Sequence, residues 1–301
     1  MRLNHHMQFL KDMLFHRPRA KDLKELEMSL TPSEKLRLDH YIQLTTEFTL
    51  GDRAVKKINP FKKTGYSYDF TRCMWELNTP FRFNYKFGDV RTVPDAPTFV
   101  KSRPITSANT FSILLPLDTT RHLKFVEDNQ PFESKIDQAV FRGACYQPWR
   151  KAFMQTAANE SLVNAGDTAR SKSFLSHRKS FLTVEAQMRY KFIISLEGND
   201  VASNLKWAMN SNSVVLMPKP KFETWFCESH LVKDQHYVEL NDDFSNLRDV
   251  LEDLLAQPNR CKEITNEAHV YCEEYHDLKR QFQLGALVMH RYNSLQIQET
   301  D

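Results

Sequence analysis

The sequence predicts an α/β protein built around a doubly wound parallel sheet. From Ala139 onward, short apolar segments alternate with segments of helical periodicity, and strands separated by helices of about 10–15 residues are typical of parallel sheets. Hydrophobic residues make up 41% and charged residues 26% of the 301 residues, as in soluble globular proteins.

The first half of the chain is predicted to combine leading helices with short strands. Residues 20–50 have helical periodicity, and Thr31-Pro32-Ser33-Glu34 supplies a helix N-cap followed by proline. Residues 60–135 are rich in Phe, Tyr and Pro and contain strand-like segments. These segments are RFNYKFGDV, PTFVKSRPI and FSILLPL.

The second half supplies the alternating pattern. The predicted strands are QAVFRGA, SLVNAG, KFIISLEG, SVVLMP and HYVEL. The predicted helices are PWRKAFMQTAAN, HRKSFLTVEAQMRY, VASNLKWAMNSN and the helical region NLRDVLEDLLAQPNRCKEITNEAHVYCEEY. The polar segment Glu127–Gln138, which contains Pro131, is the predicted hinge. We therefore expect a first domain with leading helices over 1–130, a Rossmann-like domain over 131–275, and a C-terminal helix and tail over 276–301 that packs back on the first domain.

Composition limits the class of function. A formal charge of +3 is too small to indicate nucleic-acid binding, and no apolar run is long enough to span a bilayer. The basic N-terminus lacks the apolar core of a signal peptide. The five scattered cysteines form no CxxC pair, so we expect reduced thiols in a cytoplasmic protein.

The stretch YKFIISLEGNDVASNLKWAMNSNSVVLM predicts a strand, a polar turn and a helix. Such a turn binds anions in many α/β proteins, because the first helix N–H groups lack internal partners. An ordinary turn capped by Asn or Asp is the competing interpretation. The sequence has no GxxxxGK[ST] loop, and no GxGxxG follows the first strand of the alternating region, so neither a P-loop ATPase nor an NAD-type oxidoreductase is supported.

Three segments resemble glycosyltransferase family 90, which includes Rumi and bacterial lipopolysaccharide-core transferases. They are VFRGACYQPWR, the strand-turn-helix above, and HYVELNDDFSNL, within roughly residues 65–275. EGNDVASNLKW followed by MPKPKFETWF is most similar to the bacterial branch. The resemblance implies a GT-B-like fold, with two Rossmann-like domains facing a cleft and extra N-terminal helices, a UDP-sugar donor and inversion at the sugar carbon.

The resemblance implies a set of donor-binding residues. They are Arg142, Gly143, Arg150, Gly198, Asn199, Ser203, Lys206, Glu223 and Glu228. Paired guanidinium groups suit a diphosphate, and a carboxylate suits ribose hydroxyls. The Rumi branch has an arginine where Asn204 stands, and Lys206 is a candidate replacement for its charge. Surface arginines and a solvated lysine are the competing interpretations.

The resemblance also implies a catalytic base. Asp89, in the Gly-Asp turn of FNYKFGDVRTVP, is the candidate that takes the acceptor proton, and Asp95 is its competitor. Lys101 and Arg103 are candidates to line the cleft. A turn-forming role for Asp89 and a basic strand end for the two cations remain open.

Other residues receive ordinary structural interpretations. Trp225 is expected in the core, and Asp242 and Asp243 are expected to cap the helix that follows. His5, His6 and His177 lack ligand spacing. No DxD motif precedes a helix as in GT-A enzymes, so we predict chemistry without a metal or other cofactor.

We therefore expect a hexosyltransferase, acting with glucose or galactose, that moves the sugar from a UDP-sugar to a lipopolysaccharide or lipooligosaccharide core. The expected partners are the UDP-sugar and a lipid-linked or oligosaccharide acceptor, with peripheral contact at the inner membrane face and no nucleic acid. The alternatives are transfer to capsular polysaccharide or protein serine, and a non-catalytic nucleotide-sugar-binding protein.

Overall fold

The computed structural model describes residues 20–51, 54, 55, 58, 64–75, 81–107, 109–169 and 178–297. His5, His6 and His177 lie outside the described residues. The described chain divides into two compact units. Unit 1 comprises the described residues within 1–122, 222–227 and 277–301, and unit 2 comprises those within 123–221 and 228–276.

The described residues form ten α-helices and ten β-strands. The helices are α1 (Ala20–Met28), α2 (Pro32–Tyr41), α3 (Thr64–Trp75), α4 (Thr119–His122), α5 (Pro148–Ala157), α6 (Val184–Gln187), α7 (Leu205–Met209), α8 (Leu247–Ala256), α9 (Pro258–Glu273) and α10 (Leu278–Leu295). The strands are β1 (Asn84–Lys86), β2 (Thr98–Val100), β3 (Ser102–Pro104), β4 (Ser112–Leu114), β5 (Ile136–Gly143), β6 (Val163–Asp167), β7 (Tyr190–Ile194), β8 (Val214–Met217), β9 (Phe222–Thr224) and β10 (Val238–Glu239).

In unit 1, helix α2 begins as the sequence predicts. The Oγ1 of Thr31 accepts a hydrogen bond from the backbone N of Glu34 at 3.1 Å, and Glu34 Oε2 accepts one from Thr31 N at 2.8 Å. This reciprocal capping box satisfies two of the helix-start donors. Arg280 of α10 donates to both carboxylate oxygens of Glu34, at 2.6 and 2.8 Å, and this contact lowers the Glu34 pKa to about 2.

Unit 1 contains two small sheets and an aromatic core. Strands β1, β2 and β4 form a parallel sheet in the order β1-β2-β4, and β3 pairs with β9 in antiparallel register. Phe99 of β2 packs on Tyr292 of α10, with ring centroids 4.5 Å apart. Trp225, just after β9, stacks on Tyr41 with centroids 3.6 Å apart and is 2% exposed, which confirms its predicted core position.

Unit 2 is organised by a five-stranded sheet in the order β10-β8-β7-β5-β6, in which every neighbouring pair is parallel. Phe192 and Ile194 of β7 contribute to a core with α5, α8 and α9. Ile193, which points to the opposite face because strand side chains alternate, is also fully buried. Burial on both faces explains why the strands read as continuous apolar runs. The predicted parallel sheet is confirmed.

Two helix predictions in unit 2 were too long. Residues 178–183 are not helical: the backbone N of Lys179 donates to Asp167 O at 3.1 Å, and Thr183 caps the four-residue α6. The helix predicted over 201–212 is confined to α7, because the residues before Leu205 form bends and turns. In both places, hydrogen bonds to the ends of neighbouring strands replace helical ones.

The segment predicted as a hinge is anchored within unit 2. Asp128 accepts hydrogen bonds from Lys135 Nζ at 2.6 Å and from the backbone N of Asn212 at 2.9 Å. The five cysteines are buried free thiols, as expected from their scattered positions. Among the helices of the described residues, none combines the length and apolar composition needed to cross a bilayer.

Candidate functional site at the carboxyl edge of the unit 2 sheet

The strand order of unit 2 defines a position where ligands bind in doubly wound folds. Numbered along the chain, its five strands lie in the order 2-1-3-4-5, so the chain leaves β5 toward β6 on one side and leaves β7 toward β8 on the other side. Ligands of such sheets bind outside the carboxyl ends at this switch point. The loops that follow β5 and β7 therefore form the candidate site, which we call the switch-point edge (residues 143–150 and 195–199).

Arg150 ties the two loops of the switch-point edge together. Its Nη1 donates to Ala144 O at 3.0 Å in the loop after β5. Its Nη2 donates to Leu196 O at 2.6 Å and its Nε to Glu197 O at 2.9 Å, both in the loop after β7. Burial lowers the pKa of this guanidinium from its ordinary value. A fixed cation therefore lies at the edge where the sequence predicts a diphosphate.

Neighbouring polar and aromatic groups complete this edge. Trp149 Nε1 donates to Glu197 O at 2.8 Å, and Gln147 Nε2 donates to Asn199 Oδ1 at 3.1 Å. A methyl group added at Gly198 would meet only the Nη2 of Arg150, at 3.6 Å. The turn thus presents Gly198 and exposed Asn199 beside the cation.

The loop after β5 is held by a buried carboxylate. Asp167 Oδ1 accepts hydrogen bonds from the backbone N of Cys145 at 3.0 Å and of Ala169 at 2.8 Å. Burial raises the Cys145 pKa to about 12, so this thiol stays protonated and does not act as a nucleophile near neutral pH. The same loop begins at Gly143, where a methyl group would meet the Phe141 ring at 2.9 Å.

Arg142 lies at the same end of β5 as Gly143, but its side chain is directed toward the neighbouring strand β6. Its Nη1 donates to Asn164 O of β6 at 2.7 Å and to Phe141 O at 2.8 Å. Its Nη2 donates to Asn164 Oδ1 at 3.0 Å and its Nε to Ser180 O at 3.2 Å. The structure therefore places the two arginines on different sides of β5, Arg142 toward β6 and Arg150 toward β7. A shared role in donor binding stays a prediction.

The start of α7 differs from the predicted helix start. Ser203 is exposed in the turn before α7, and Asn204 occupies the N-cap position without a side-chain cap. Instead, Asn204 Nδ2 donates to Ile194 O at 3.1 Å, and its Oδ1 accepts from Ser195 Oγ at 3.1 Å. The side chain thus fixes the turn to the end of β7.

Lys206 and Glu228 are brought together inside unit 2. Both side chains are buried, and Lys206 Nζ forms an ion pair with Glu228 Oε1. The sequence predicts both as donor ligands, whereas the structure shows each acting as the counter-charge of the other. Removal of one partner of a buried ion pair is strongly destabilising, so we expect this contact to matter for the stability of unit 2.

Glu223 and Arg103 form a buried network in unit 1. Arg103 Nε donates to Glu223 Oε1 at 2.7 Å, and its Nη2 donates to His40 O at 2.8 Å. His40 Nε2 lies 2.8 Å from Glu223 Oε2 and 3.2 Å from Arg103 Nη2. The two predicted residues therefore join α2, β3 and β9. The sequence interpretation missed His40, which no motif marks.

Asp89 and Lys101, also in unit 1, form a second pair. Asp89 follows Gly88, whose φ of 94° is the left-handed conformation that glycine adopts readily. Lys101 Nζ donates to Asp89 Oδ1 at 3.0 Å. Asp95, the competing candidate, is exposed. Among the described residues, a buried cation pairs with Asp89 but none pairs with Asp95.

Asp242 and Asp243 do not cap α8, contrary to the sequence prediction. Asp242 pairs with Lys221 at 2.9 Å, and Asp243 Oδ1 accepts from the N and Oγ of Ser245. The cap position belongs to Asn246. Within the described residues, no group of three or more His, Cys, Asp and Glu side chains has metal-site spacing. Metal-independent chemistry stays a prediction.

Comparison with known proteins identifies the family. Residues 116–300 match the family described as Glycosyl transferase family 90. The chain is also 35% identical over 295 residues to O-glucosyltransferase LpsA of Dichelobacter nodosus, covering 96% of this chain and 93% of that protein. The chain belongs to glycosyl transferase family 90. Uncharacterized protein 179R of Invertebrate iridescent virus 6 is 33% identical over 102 residues, which are 31% of this chain and 8% of that protein.

Membership in glycosyl transferase family 90 confirms the resemblance that the sequence motifs indicate. The family match includes both strands of the switch point and the loops that follow them. It does not include Asp89 or Lys101, whereas the similarity to O-glucosyltransferase LpsA extends over nearly the whole chain. The sequence interpretation named Arg150 and Gly198 at this edge but gave no role to Trp149 or Glu197, although both stand inside the quoted motifs.

Proposed function

We propose that this member of glycosyl transferase family 90 transfers a hexose from a UDP-sugar to a lipopolysaccharide or lipooligosaccharide core acceptor. Membership in the family, together with the similarity to a protein named O-glucosyltransferase, supports glucose as the transferred sugar. The observation that carries the donor site is the junction of Arg150 with both loops of the switch-point edge.

The donor would lie with its diphosphate at the switch-point edge. Arg150 has five N–H donors and uses three of them on the carbonyls of Ala144, Leu196 and Glu197, so donors remain for phosphate oxygens. Gly198 leaves space for a close approach of the ligand to the backbone. A preorganised cation of this kind stabilises the negative charge that develops on the leaving UDP.

Asp89 would act as the general base. Its carboxylate removes the proton of the acceptor hydroxyl while that oxygen attacks the anomeric carbon. The bond between this carbon and the UDP oxygen breaks, its electron pair leaves with UDP, and the configuration is inverted. We extend the proposal to a GT-B-like organisation, in which unit 2 binds the donor and unit 1 supplies the base, and to chemistry without a metal ion.

A donor screen tests the proposal. UDP release is measured with UDP-glucose, UDP-galactose, UDP-xylose and UDP-N-acetylglucosamine, with truncated core oligosaccharides as acceptors and with and without EDTA. We expect release with a UDP-hexose only when acceptor is present, and no effect of EDTA. Absence of release with every donor, on folded protein, contradicts the transferase proposal.

The variant Asp89→Asn separates an enzyme from a nucleotide-sugar-binding protein. Removing a general base lowers kcat by roughly 10²–10⁴-fold. UDP affinity, measured by calorimetry, should change little because Asp89 belongs to unit 1 and the proposed donor residues at the switch-point edge belong to unit 2. The matched control is Asp95→Asn, which should retain activity. Equal activity of Asp89→Asn and the wild type contradicts the base assignment.

The location of the protein is also part of the proposal. A cytoplasmic protein in peripheral contact with the inner membrane face would have direct access to a lipid-linked acceptor. Co-sedimentation with vesicles containing anionic lipid, at low and high salt, measures this contact. Absence of the protein from the vesicle pellet at low salt contradicts the membrane part of the proposal and leaves the transfer reaction unaffected.

A further inference from the structure

A second feature of the carboxyl edge of unit 2 is a pocket of about 330 Å³ at the ends of β8 and β10. None of its residues belongs to the set proposed above for donor binding or catalysis. The lining residues, called here the β8/β10 pocket, are Lys219, Pro220, Lys221, Glu239, Leu240, Asn241 and Asp242. Its volume lies at the lower end of the range of roughly 300–1,000 Å³ seen for ligand sites, which is enough for a single sugar ring.

The charges of the β8/β10 pocket balance. Lys221 Nζ donates to Asp242 Oδ2 at 2.9 Å, and Glu239 Oε2 accepts from the Tyr237 hydroxyl at 3.1 Å. Lys219 is exposed and forms no ion pair with any other residue of the described chain. Two cations and two carboxylates give a formally neutral lining. A phosphate or another anion therefore finds no net attraction here, and a neutral ligand is favoured.

The pocket keeps hydrogen-bonding capacity for such a ligand. Asn241 donates from Nδ2 to Ser245 Oγ at 2.9 Å, while its Oδ1 accepts from no described residue. Oδ1 of Asp242 and Oε1 of Glu239 likewise accept no hydrogen bond from any described residue. Carboxylate and amide oxygens of this kind accept hydrogen bonds from hydroxyl groups. The lining contains no aromatic ring, so it lacks a platform for a nucleobase.

Glu197 connects this pocket to the switch-point edge. Its Oε1 accepts a hydrogen bond from the backbone N of Lys221 at 2.9 Å, and its carbonyl accepts those of Trp149 and Arg150. The point midway between the ends of β5 and β7 and the point midway between the ends of β8 and β10 are two strand spacings apart, which is about 10 Å. A pyranose attached to, or reacting beside, a diphosphate at the switch point lies within that range.

We propose that the β8/β10 pocket is a subsite for one neutral pyranose ring, recognised through its hydroxyl groups by Glu239, Asn241 and Asp242. The subsite rests on the proposed function, because it assigns the ring to the sugar substrates of that reaction. The ring belongs either to the donor hexose or to the acceptor sugar, since both present the same hydroxyl chemistry. The kinetic measurements below distinguish the two sources.

Binding is tested directly and without turnover. Saturation-transfer NMR titrations use methyl glucopyranoside, methyl galactopyranoside and N-acetylglucosamine with the full chain. We expect at least one glycoside to bind the wild type, and Asn241→Ala and Asp242→Ala each to weaken its binding by about five-fold, the effect of one hydrogen bond. The control is Asp137→Ala, which removes an equally exposed aspartate paired with Lys191 on the opposite, amino-terminal edge of the sheet.

Steady-state kinetics then assign the ring. An increase of KM for the UDP-sugar alone in Asn241→Ala assigns the pocket to the donor hexose, and an increase of KM for the oligosaccharide alone assigns it to the acceptor. The proposal is overturned if no glycoside binds the wild type, or if the two pocket variants bind as well as Asp137→Ala. NMR binding does not depend on turnover, so the two proposals can fail separately. Intact transfer without glycoside binding contradicts the subsite alone. Glycoside binding without transfer contradicts the proposed function alone.

Discussion

Lys101 donates a hydrogen bond from Nζ to Asp89 Oδ1 at 3.0 Å, although the Lys101 side chain is 1% exposed and that of Asp89 is 34% exposed. A buried ammonium group requires a counter-charge, and Asp89 provides it. The buried partner in turn limits the positions that the carboxylate can adopt. The proposed base is therefore hydrogen-bonded to a side chain that is itself buried.

This contact predicts that Lys101 positions Asp89 for catalysis. Lys101→Met preserves the length of the side chain but removes the hydrogen bond, so we expect kcat to fall by on the order of 10- to 100-fold, since a misplaced catalytic group is costly. KM for the UDP-sugar should stay within about two-fold, because Lys101 belongs to unit 1. Initial rates at saturating donor and acceptor measure both quantities.

The control for this variant is Lys86→Met, which changes an exposed lysine of β1 in the same unit. Its kcat should equal that of the wild type. Thermal unfolding of both variants establishes whether Lys101→Met is folded. A folded Lys101→Met protein with unchanged kcat would show that the contact between Lys101 and Asp89 plays no part in the reaction.

Two glycines of the switch-point edge predict opposite outcomes when each is replaced by alanine. A methyl group at Gly143 meets the buried Phe141 ring at 2.9 Å and Arg150 Nη1 at 3.3 Å, so Gly143→Ala should lower the unfolding temperature by several degrees. At Gly198 the nearest atom is Arg150 Nη2 at 3.6 Å, which is an ordinary contact. Gly198→Ala should therefore leave the unfolding temperature unchanged.

Gly198→Ala should nevertheless weaken donor binding, because the added methyl group occupies the space where the diphosphate is proposed to approach the turn. We expect the Kd for UDP to rise by about ten-fold in calorimetric titrations, which corresponds to about 1.4 kcal/mol. Gly51→Ala, an exposed position of unit 1 with open space around it, is the control. Unaltered UDP affinity in Gly198→Ala would place the donor away from this turn.

The pair formed by Lys206 and Glu228 predicts strong coupling between two substitutions. Each single variant, Lys206→Met or Glu228→Gln, removes one charge of a buried ion pair and should cost roughly 3–5 kcal/mol of unfolding free energy. The double variant should cost clearly less than the sum. Urea denaturation of the four proteins measures the coupling, and UDP titration of the double variant tests whether either residue also binds the donor.

An exposed pair supplies the comparison for this cycle. Arg260 Nη1 lies 2.7 Å from Asp253 Oδ2, with side chains 33% and 52% exposed, and such pairs contribute at most about 1 kcal/mol. The same cycle is measured with substitutions of Arg260 and Asp253. If the effects of Lys206→Met and Glu228→Gln on the unfolding free energy are additive and as small as those of this exposed pair, the buried ion pair is not formed in solution.

The periodic elements were predictable from the sequence because their signals are local. The strands of unit 2 have apolar runs between polar turns, and the start of α2 has the Thr-Pro-Ser-Glu pattern of a capped helix. The helix predictions over 177–190 and 201–212 were wrong outside α6 and α7. There, side chains such as Asn204 donate hydrogen bonds to strand ends that are distant in the sequence but adjacent in space.

The candidate site was predictable only in part, because side-chain partners are set by tertiary contacts. Lys206 carries a charge in the sequence, but its partner Glu228 lies 22 residues away and the pair is buried. Arg103 likewise reaches Glu223 across 120 residues. By contrast, Arg150 and Gly198 flank the ends of two predicted strands, so strand order alone brings their loops to one edge.

A buried carboxyl group in unit 1 predicts a dependence of stability on pH. Asp69 of α3 is 2% exposed, and its Oδ2 accepts a hydrogen bond from the backbone N of Thr119 at 2.7 Å. Burial raises the Asp69 pKa from 3.8 to about 7, and the hydrogen bonds from Thr119 offset only part of this effect. Between pH 3.8 and about pH 7, the Asp69 carboxyl is protonated in the folded protein but ionised in the unfolded chain. Its contribution to stability is therefore fully present below pH 4 and is lost as the pH rises through 7.

The variant Asp69→Asn should remove this dependence, since an amide has no proton to lose in this range and its oxygen still accepts from Thr119. We expect the unfolding free energy of the wild type, relative to Asp69→Asn, to fall by at most about 4 kcal/mol between pH 4 and pH 8. Urea denaturation at several pH values measures the difference. The exposed residue Asp95 provides the control variant Asp95→Asn, which should follow the wild type at every pH. Parallel pH profiles for the wild type and Asp69→Asn would mean that Asp69 is ionised in the folded protein throughout this range.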